Sequence, residues 1–413
     1  MRVVVVGGGV IGLCCAVSLA ERGVEVTVLE RATVGGGASA GNAGWVVPSL
    51  AAPLGAPGMI RTGIGSALDP RGALVIRPTL DVASIRWLWQ FRRNCSAARY
   101  TDGVRALATL TQRTFDALDS YRVAGVEFEE HRSGLIAVSR APEGLNWFAA
   151  LHEQISALGV PGELEQLSPA EARQLEPALG SAVGAAMYSR TDRHVDPSSL
   201  TTGLATYLRQ RGSVIVESCA VSGLSRSGNC WTVSAGAQDH ICDAVVLATG
   251  AAANELLRPL GVHLPLVGAK GYSVTVAGQG LAPRHAVYLS DSKLGLSPFA
   301  SGLRIAGFFE LPARSSDPTP RRIRQLISDA AGYLADWRPG GTAHTGWAGL
   351  RPATPDSLPF LGPVGESVGL IVATGHGMLG VTLAPASGEA VAEMVVTGST
   401  PADLLPFRVG RRL

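Results

Sequence analysis

Residues 3–20, VVVVGGGVIGLCCAVSLA, carry no charge at all, a length that suits a membrane span or an export leader. The pattern inside the run points elsewhere. Residues 3–6 are four valines, the composition of a strand buried on both faces. Gly7, Gly9 and Gly12 follow at once in the spacing G-x-G-x-x-G. Residues 13–22 have no polar face, as suits a helix covered in an α/β layer, and Gly23 supplies its C-terminal cap. Residues 24–30, VEVTVLE, then alternate as a second strand that ends on Glu30. The flanks disfavour export: Arg2 is the only charge before the run, Glu21-Arg22-Gly23 replaces a small-residue cleavage site, and Leu13 precedes Cys14 where a lipoprotein signal carries a small residue.

Strand, glycine turn, helix, cap, strand and terminal acid in this order predict a loop that wraps a dinucleotide pyrophosphate. Gly7 permits the tight turn, Gly9 lets backbone N–H groups approach phosphate oxygens, and Gly12 lets the helix pack closely on the strand. Glu30 stands near the distance at which this fold sets a carboxylate on the ribose hydroxyls. The positive end of the helix dipole would hold the anion without a lysine.

The same periodicities recur later. Residues 214–236 read as a strand meander with a turn at Ser227-Gly228-Asn229, and residues 241–257 as a return strand ending in Ala248-Thr249-Gly250. Residues 368–396 read as a buried strand, a second glycine-rich turn at 375–380 and a long helix. A nicotinamide dehydrogenase would continue with helix and strand at short intervals after the first fold. Here residues 35–58 form a long Gly/Pro/Ala loop instead. A nucleotide fold visited at the start, middle and end of one chain is the layout of a two-dinucleotide-fold flavoprotein. The predicted fold class is α/β: a discontinuous Rossmann-like FAD-binding domain of the glutathione-reductase type, from residues 1–80, 190–258 and 341–413, plus an antiparallel-sheet substrate domain from 81–189 and 259–340. Asp196-Pro197 reads as the N-cap and first residue of a helix leading back to the FAD domain, and 312–320 as a polar surface loop.

Composition agrees with two packed domains. The chain has 413 residues, 46% apolar and 16% charged. Net charge is 35 − 33 = +2, which gives no electrostatic case for nucleic acid. Only Lys270 and Lys293 are lysines, a skew toward arginine that fits codon bias better than phosphate recognition. The six cysteines form no C-x-x-C pair and the eight histidines show no ligand spacing. The expectation is therefore no metal, reduced thiols and a cytoplasmic setting.

Five stretches carry a resemblance: GNAGWVVPSLAAPLGAPG from Gly41, RWLWQFRRNCSAARY at 86–100, VGAKGYSVTV at 267–276, GWAGLRPATPDSLPFLG at 346–362 and ATGHGMLGVTLAPASG at 373–388. Together they span almost the whole chain. It resembles the D-amino acid dehydrogenase branch of the FAD-dependent amine and amino acid oxidoreductases, the superfamily of D-amino acid oxidase and glycine oxidase. The first three stretches favour the dehydrogenase branch, and WAGLRP and LAPASG are equally like glycine oxidase.

The resemblance implies oxidative deamination of a D-amino acid, with hydride passing from Cα to flavin N5 and water hydrolysing the imine to a 2-oxo acid and ammonia. Glycine, sarcosine or a cyclic secondary amine such as D-proline are alternative substrates, and an FAD-binding subunit of a larger complex is the non-enzyme alternative. Arg351 matches the family's carboxylate-binding arginine; a fork-like guanidinium is the best grip on a planar carboxylate. Tyr272 is the candidate to reach the substrate carboxylate or amine, the alternative being a half-buried sheet residue. His376 falls at the turn set against the pyrimidine end of the flavin, where N–H groups and a helix dipole stabilise negative charge. No general base is nominated, because the flavin carries the hard chemistry.

The implied cofactor contacts are Gly7, Gly9, Val10, Ile11, Gly12, Glu30 and Arg31 in the first fold, and Ser39, Asn42, Ala43 and Gly44 in the loop after it. They continue through Val221, by its main chain to adenine, with Thr249 and Gly250. Gly349, Arg351, Gly377, Met378, Leu379, Gly380, Val381 and Thr382 complete the set. Relatives place a substrate-capping tyrosine in the region equivalent to 288–299, where this chain has only Tyr288. Some relatives attach flavin through a cysteine near LRPATPD, but no cysteine follows Cys242, so FAD is expected to bind noncovalently. The electron acceptor is left open between a quinone or respiratory carrier and O2. The apolar segment 45–60 is either an active-site lid or a peripheral contact with the inner membrane surface.

Overall fold

Val3, Val4, Val5 and Val6 lie buried at the centre of a six-stranded sheet ordered Val214–Val216, Glu25–Leu29, Arg2–Val6, Ala244–Leu247, Ser367–Thr374, Phe360–Val364. The first five strands run parallel and the last antiparallel. The computed structural model describes residues 1–57, 72–236, 238–340, 346–365 and 367–413. Burial on both faces explains the unbroken valine run, each side chain contributing about 1.5–3 kcal/mol. The first helix, Val10–Glu21, begins three residues before the sequence pattern places it, because Gly9 already serves as its N-cap. At 12 residues it is far short of a bilayer span. Among the described residues, no helix is long and apolar enough to cross a membrane.

The final helix, Gly380–Thr397, crosses the first so closely that a Cβ on Gly388 would lie 2.6 Å from the Cys14 carbonyl. Helix Pro197–Gln210 packs into the same core, capped by Asp196, whose side chain accepts from the Ser199 N–H at 3.0 Å. A three-stranded antiparallel sheet of Val221–Ser227, Cys230–Ala235 and Gln238–Cys242 packs on the other face of the large sheet through Trp231 and Val233.

A second, nine-stranded and mostly antiparallel sheet runs in the order Gly346–Ala353, Val267–Val276, Gly302–Leu311, Leu294–Phe299, Ala286–Leu289, Leu135–Ser139, Ala185–Ser189, Leu164–Leu167, with Leu74–Ile76 alongside 302–311. Helix Pro320–Ala331 buries Ile323, Leu326 and Ala330 against one face of it. Two segments pack differently from the sequence-based division. Helices Ala97–Thr111 and Thr114–Val123 send Leu107, Leu110, Leu118 and Tyr121 into the core of the first sheet, because their apolar stripes face the final helix. Strand Leu74–Ile76 belongs to the second sheet. The division at 341 lies outside the described residues.

Residues 45–57 form a strap across both layers, mostly buried but with Pro57 exposed and Leu50 and Leu54 half-buried; 58–60 lie outside the described residues. The Val47 N–H donates to Thr382 Oγ1 at 3.2 Å, that hydroxyl donates to the Trp45 carbonyl at 3.0 Å, and the Leu54 N–H donates to Ser357 Oγ at 3.0 Å. Ser49 Oγ donates to the fully buried Asp192 Oδ2, while Asp192 Oδ1 has no partner. Burial pushes the Asp192 carboxyl up to about 6, the hydrogen bond from Ser49 working against it.

Asp192 therefore binds its proton more tightly folded than unfolded, so it destabilises the fold progressively as pH rises from its ordinary value of 3.8 through about 6. Asp192→Asn is expected to remove that loss, making the variant more stable than wild type at pH 8 by on the order of 3 kcal/mol and little different at pH 4. Denaturant unfolding at the two pH values measures it; equal stability gaps at both would count against a buried carboxyl.

Candidate active site

A single cavity of about 950 Å3 runs from the first glycine turn to the strand that carries Arg351. That is at the upper end of ligand clefts, ~300–1,000 Å3. Its floor depends on atoms that glycine omits. Gly7 has φ +111, and a Cβ there would meet the Ala248 carbonyl oxygen at 2.5 Å. A Cβ on Gly12 would lie 1.9 Å from the Gly7 oxygen, so Gly12 serves close packing of helix on strand and does not line the cavity. Gly9, Val10, Ile11, Glu30, Arg31 and Ser39 do line it. Ser39 Oγ accepts the Val10 N–H at 3.0 Å, and the Glu30 carboxylate accepts the N–H of Gly8 at 2.7 Å and of Ala32 at 2.9 Å. Glu30 is thus held rigidly at the strand end. Val221, Thr249 and Gly250 line the middle, and Thr249 Oγ1 is buried with no hydrogen-bond partner among the described residues.

These features fit FAD. A glycine cradle and a helix N-terminus whose N-cap is Gly9, with Ser39 taking only the Val10 N–H, suit a pyrophosphate, and Glu30 suits ribose hydroxyls. Asn42, Gly349, Gly377, Gly380 and Val381 line the far end, where a flavin ring would lie.

Five of the remaining sequence-based assignments fall elsewhere. Ala43 and Gly44 do not line the cavity: Ser297 Oγ donates to the Ala43 carbonyl, and a Cβ on Gly44 would strike the Val195 oxygen at 1.9 Å. Residues 42–44 make a tight turn, with Asn42 Oδ1 accepting the Gly44 N–H at 2.7 Å. Thr382 spends its hydroxyl on the 45–57 strap. Met378 and Leu379 line a separate pocket of about 30 Å3 with Leu54, Trp87 and Phe309.

Tyr272 needs the largest correction. It is fully buried in the core under helix Pro320–Ala331, its hydroxyl 3.2 Å from both Glu310 Oε2 and Thr319 Oγ1. Strand alternation sends its neighbour Gly271 to the cavity face and Tyr272 away from it. Tyr288 is likewise outside both pockets, edge-on to Trp45 and Trp147 with centroids 5.8 Å apart in each case. Gly295 leaves room for the Trp45 indole there, since a Cβ would come within 2.7 Å of that ring.

His376 lines both pockets and is buried. Its Nε2 pairs with Ser387 Oγ at 3.0 Å, and Nδ1 has no partner. Burial pulls its pKa down to about 3, so the imidazole is held neutral.

Arg351 projects half-buried into the cavity wall from strand Gly346–Ala353. Its guanidinium lies over Gly271, where a Cβ would sit 2.0 Å from Nη1. Nη1 donates to the Phe308 carbonyl at 2.8 Å, and among the described residues Arg351 forms no ion pair. Desolvation with nothing to offset it pulls the guanidinium pKa down to about 10. An uncompensated charge of this kind is costly to bury, and a ligand carboxylate removes the cost. Sequence reasoning missed Trp347, whose indole crosses Gly349 to reach Gly41, although the two glycines that make space for it are visible signals. It also missed the cavity mouth at Asp81, Arg258, His263 and Arg314, which only the fold assembles.

Residues 2–394 match the family profile described as FAD dependent oxidoreductase. The chain is 32% identical over 408 residues to a D-amino acid dehydrogenase of Cereibacter sphaeroides, covering 96% of this chain and 92% of that protein. Among solved structures it is similar to glycine oxidase from Geobacillus kaustophilus, with a TM-score of 0.75 at 24% identity over 100% of this chain and 99% of the other. It is also similar to L-proline dehydrogenase from P. horikoshii, with a TM-score of 0.73 at 24% identity over 98% and 96%.

Gly271→Ala is expected to push the Arg351 guanidinium aside and weaken binding of carboxylate ligands by about tenfold or more, with flavin content unchanged. Perturbation of the flavin absorbance by propanoate reads this directly; wild-type affinity would show that Gly271 does not set the arginine's position.

Proposed function

Because this chain belongs to the DAO family of FAD-dependent oxidoreductases, enzymes that act on amino acids or amines, we propose that it oxidatively deaminates D-amino acids, giving an imine that water hydrolyses to a 2-oxo acid and ammonia. The observation that carries the reading is the unpaired guanidinium of Arg351 at the end of a dinucleotide-sized cavity. Bound FAD supplies a two-electron acceptor for the hydride from Cα. Gly7, Gly9, Glu30, Ser39, Thr249 and Gly250 would hold its nucleotide half, and Asn42, Gly349, Gly377 and Gly380 would border its ring.

The protein's own contribution is orientation. With Nη1 committed to the Phe308 carbonyl, Nε and Nη2 of Arg351 are left to grip the substrate carboxylate, which fixes the direction of the Cα–H bond. The neutral His376 adds a hydrogen-bonding edge beside the ring without adding charge. The likeness to a D-amino acid dehydrogenase supports the D configuration, and glycine, sarcosine and D-proline are the competing substrates.

The acceptor side of the reading is a respiratory carrier reached at a membrane surface. It rests on Leu80 and on Val82, Ile85 and Trp89 of helix Val82–Asn94, which are 96%, 77%, 49% and 56% exposed. Arg86, Arg92 and Arg93 flank them, and Asp81 and Ser84 at the helix start line the cavity. Apolar side chains interleaved with arginines suit an anionic bilayer.

Three outcomes test these statements. Arg351→Ala should retain FAD and lose at least a hundredfold in kcat/KM, and anaerobic bleaching of the flavin should follow D-amino acids in preference to their L enantiomers. Bleaching by glycine or N-methyl amines alone would replace the substrate assignment. Wild-type protein should co-sediment with phosphatidylglycerol vesicles and not with phosphatidylcholine ones, and Ile85→Ser/Trp89→Ser should stay in the supernatant; binding unaffected by the double variant would remove this surface.

A further inference from the structure

The register between strands Val267–Val276 and Gly302–Leu311 slips beside Arg351. Lys270 pairs with Glu310 and Tyr272 with Gly307, so Gly271 alone faces both Phe308 and Phe309. That is a β-bulge. Phe308 takes φ +62, in the left-handed region that a bulky residue occupies only under constraint. Its carbonyl is the one that accepts Arg351 Nη1 at 2.8 Å. The strained residue is thus the one that orients the arginine.

What constrains it lies on the far side of the sheet. Glu310, only 3% exposed, binds Arg77 Nη2 at 2.6 Å through Oε2 and Arg322 Nε at 2.8 Å through Oε1, and accepts from the Tyr272 hydroxyl at 3.2 Å. Burial alone would raise the Glu310 carboxyl, but Arg77 and Arg322 hold it below the usual carboxylate range. The Arg322 guanidinium lies 4.4 Å over the Phe308 ring, and its Nη2 donates to the Gly72 carbonyl at 3.2 Å. The Phe309 N–H donates to the Ala73 carbonyl at 2.7 Å. The bulge is therefore gripped at Phe308 and at the two residues after it.

We propose that Glu310 is a positioning residue for carboxylate binding: by clamping Arg77 and Arg322 around the bulge, it keeps Phe308 in the conformation whose carbonyl fixes one arm of Arg351 and leaves the others for the substrate. The proposal rests on Arg351 as the carboxylate ligand. It gives Tyr272 a part in the site, as a support of Glu310 rather than a contact to substrate.

The test uses FAD-loaded protein, with propanoate as the probe and its perturbation of the flavin spectrum as the readout. Glu310→Gln should weaken propanoate binding by about tenfold and raise KM for the amino acid in parallel, with kcat at saturation changed less than about threefold. Glycine adopts φ +62 without strain, so Phe308→Gly added to Glu310→Gln should restore most of the affinity despite the lost aromatic packing. Arg77→Gln, at a side chain 57% exposed, is the milder variant should Glu310→Gln misfold, with the same direction and the same rescue. Wild-type affinity in a folded variant of either kind, or failure of Phe308→Gly to restore it, overturns the proposal. Arg351→Ala separates the levels: if it binds propanoate like wild type, the carboxylate reading itself fails; if it loses binding while Glu310→Gln does not, only the role of Glu310 falls.

Discussion

The approach of Gly12 to Gly7, closer than any side chain allows, is the contact on which the rest of the molecule depends. It seats the first helix directly above the central strand and brings the helix N-terminus to the edge of the sheet. The final helix then packs on the first across Gly388. Because that helix begins at Gly380, its placement also carries the 375–380 turn to the far end of the cavity. Two bare-backbone contacts thus set the distance between the nucleotide end of the site and its reactive end.

The second sheet works by a different economy. Its cavity face holds a charge that no described carboxylate pairs with, and its opposite face holds a carboxylate shared between two arginines. The first arrangement costs stability and leaves an appetite for an anion; the second is satisfied and rigid. One strand thickness separates them, and the bulge at Phe308 connects the two. A site that must accept many molecules of one substrate in turn keeps its unpaired group on the wet side and its strain-bearing supports on the dry side.

How much of this was legible in the sequence follows the range of each signal. The first strand, glycine turn, helix and second strand were readable because every cue lies within thirty residues and each has a backbone reason. Arg351 was singled out through the GLRP stretch, not from any pattern of charge, and it does line the cavity. Tyr272 was misplaced because alternation along a strand says that neighbours point to opposite faces, but not which face meets the cavity; Gly271, next to it, was the informative residue. Ala43, Gly44 and Thr382 failed for a related reason: each belongs to the right turn or helix, but its polar atoms or its contact distance are spent on the strap or on Val195. Nothing local announced Glu310, since a bulge is a mismatch between two strands and appears only once both are paired.

The topology of the first sheet has a bearing on how the protein is made. Val3 to Val6 pair with Val26–Leu29 early in the chain, yet their other neighbours are residues 244–247, and the strand beyond those begins at Ser367. A nascent chain therefore carries a valine strand open on one edge until residues 244–247 have been made. The walls of the cofactor cavity are drawn from residues 6 to 381, so they come together only once the turn at 375–380 and the start of the final helix have been made. A complete flavin cavity therefore requires segments from both ends of this fold to be in place at once, and until then the half-sheet formed by the first two strands lacks its neighbours on one side.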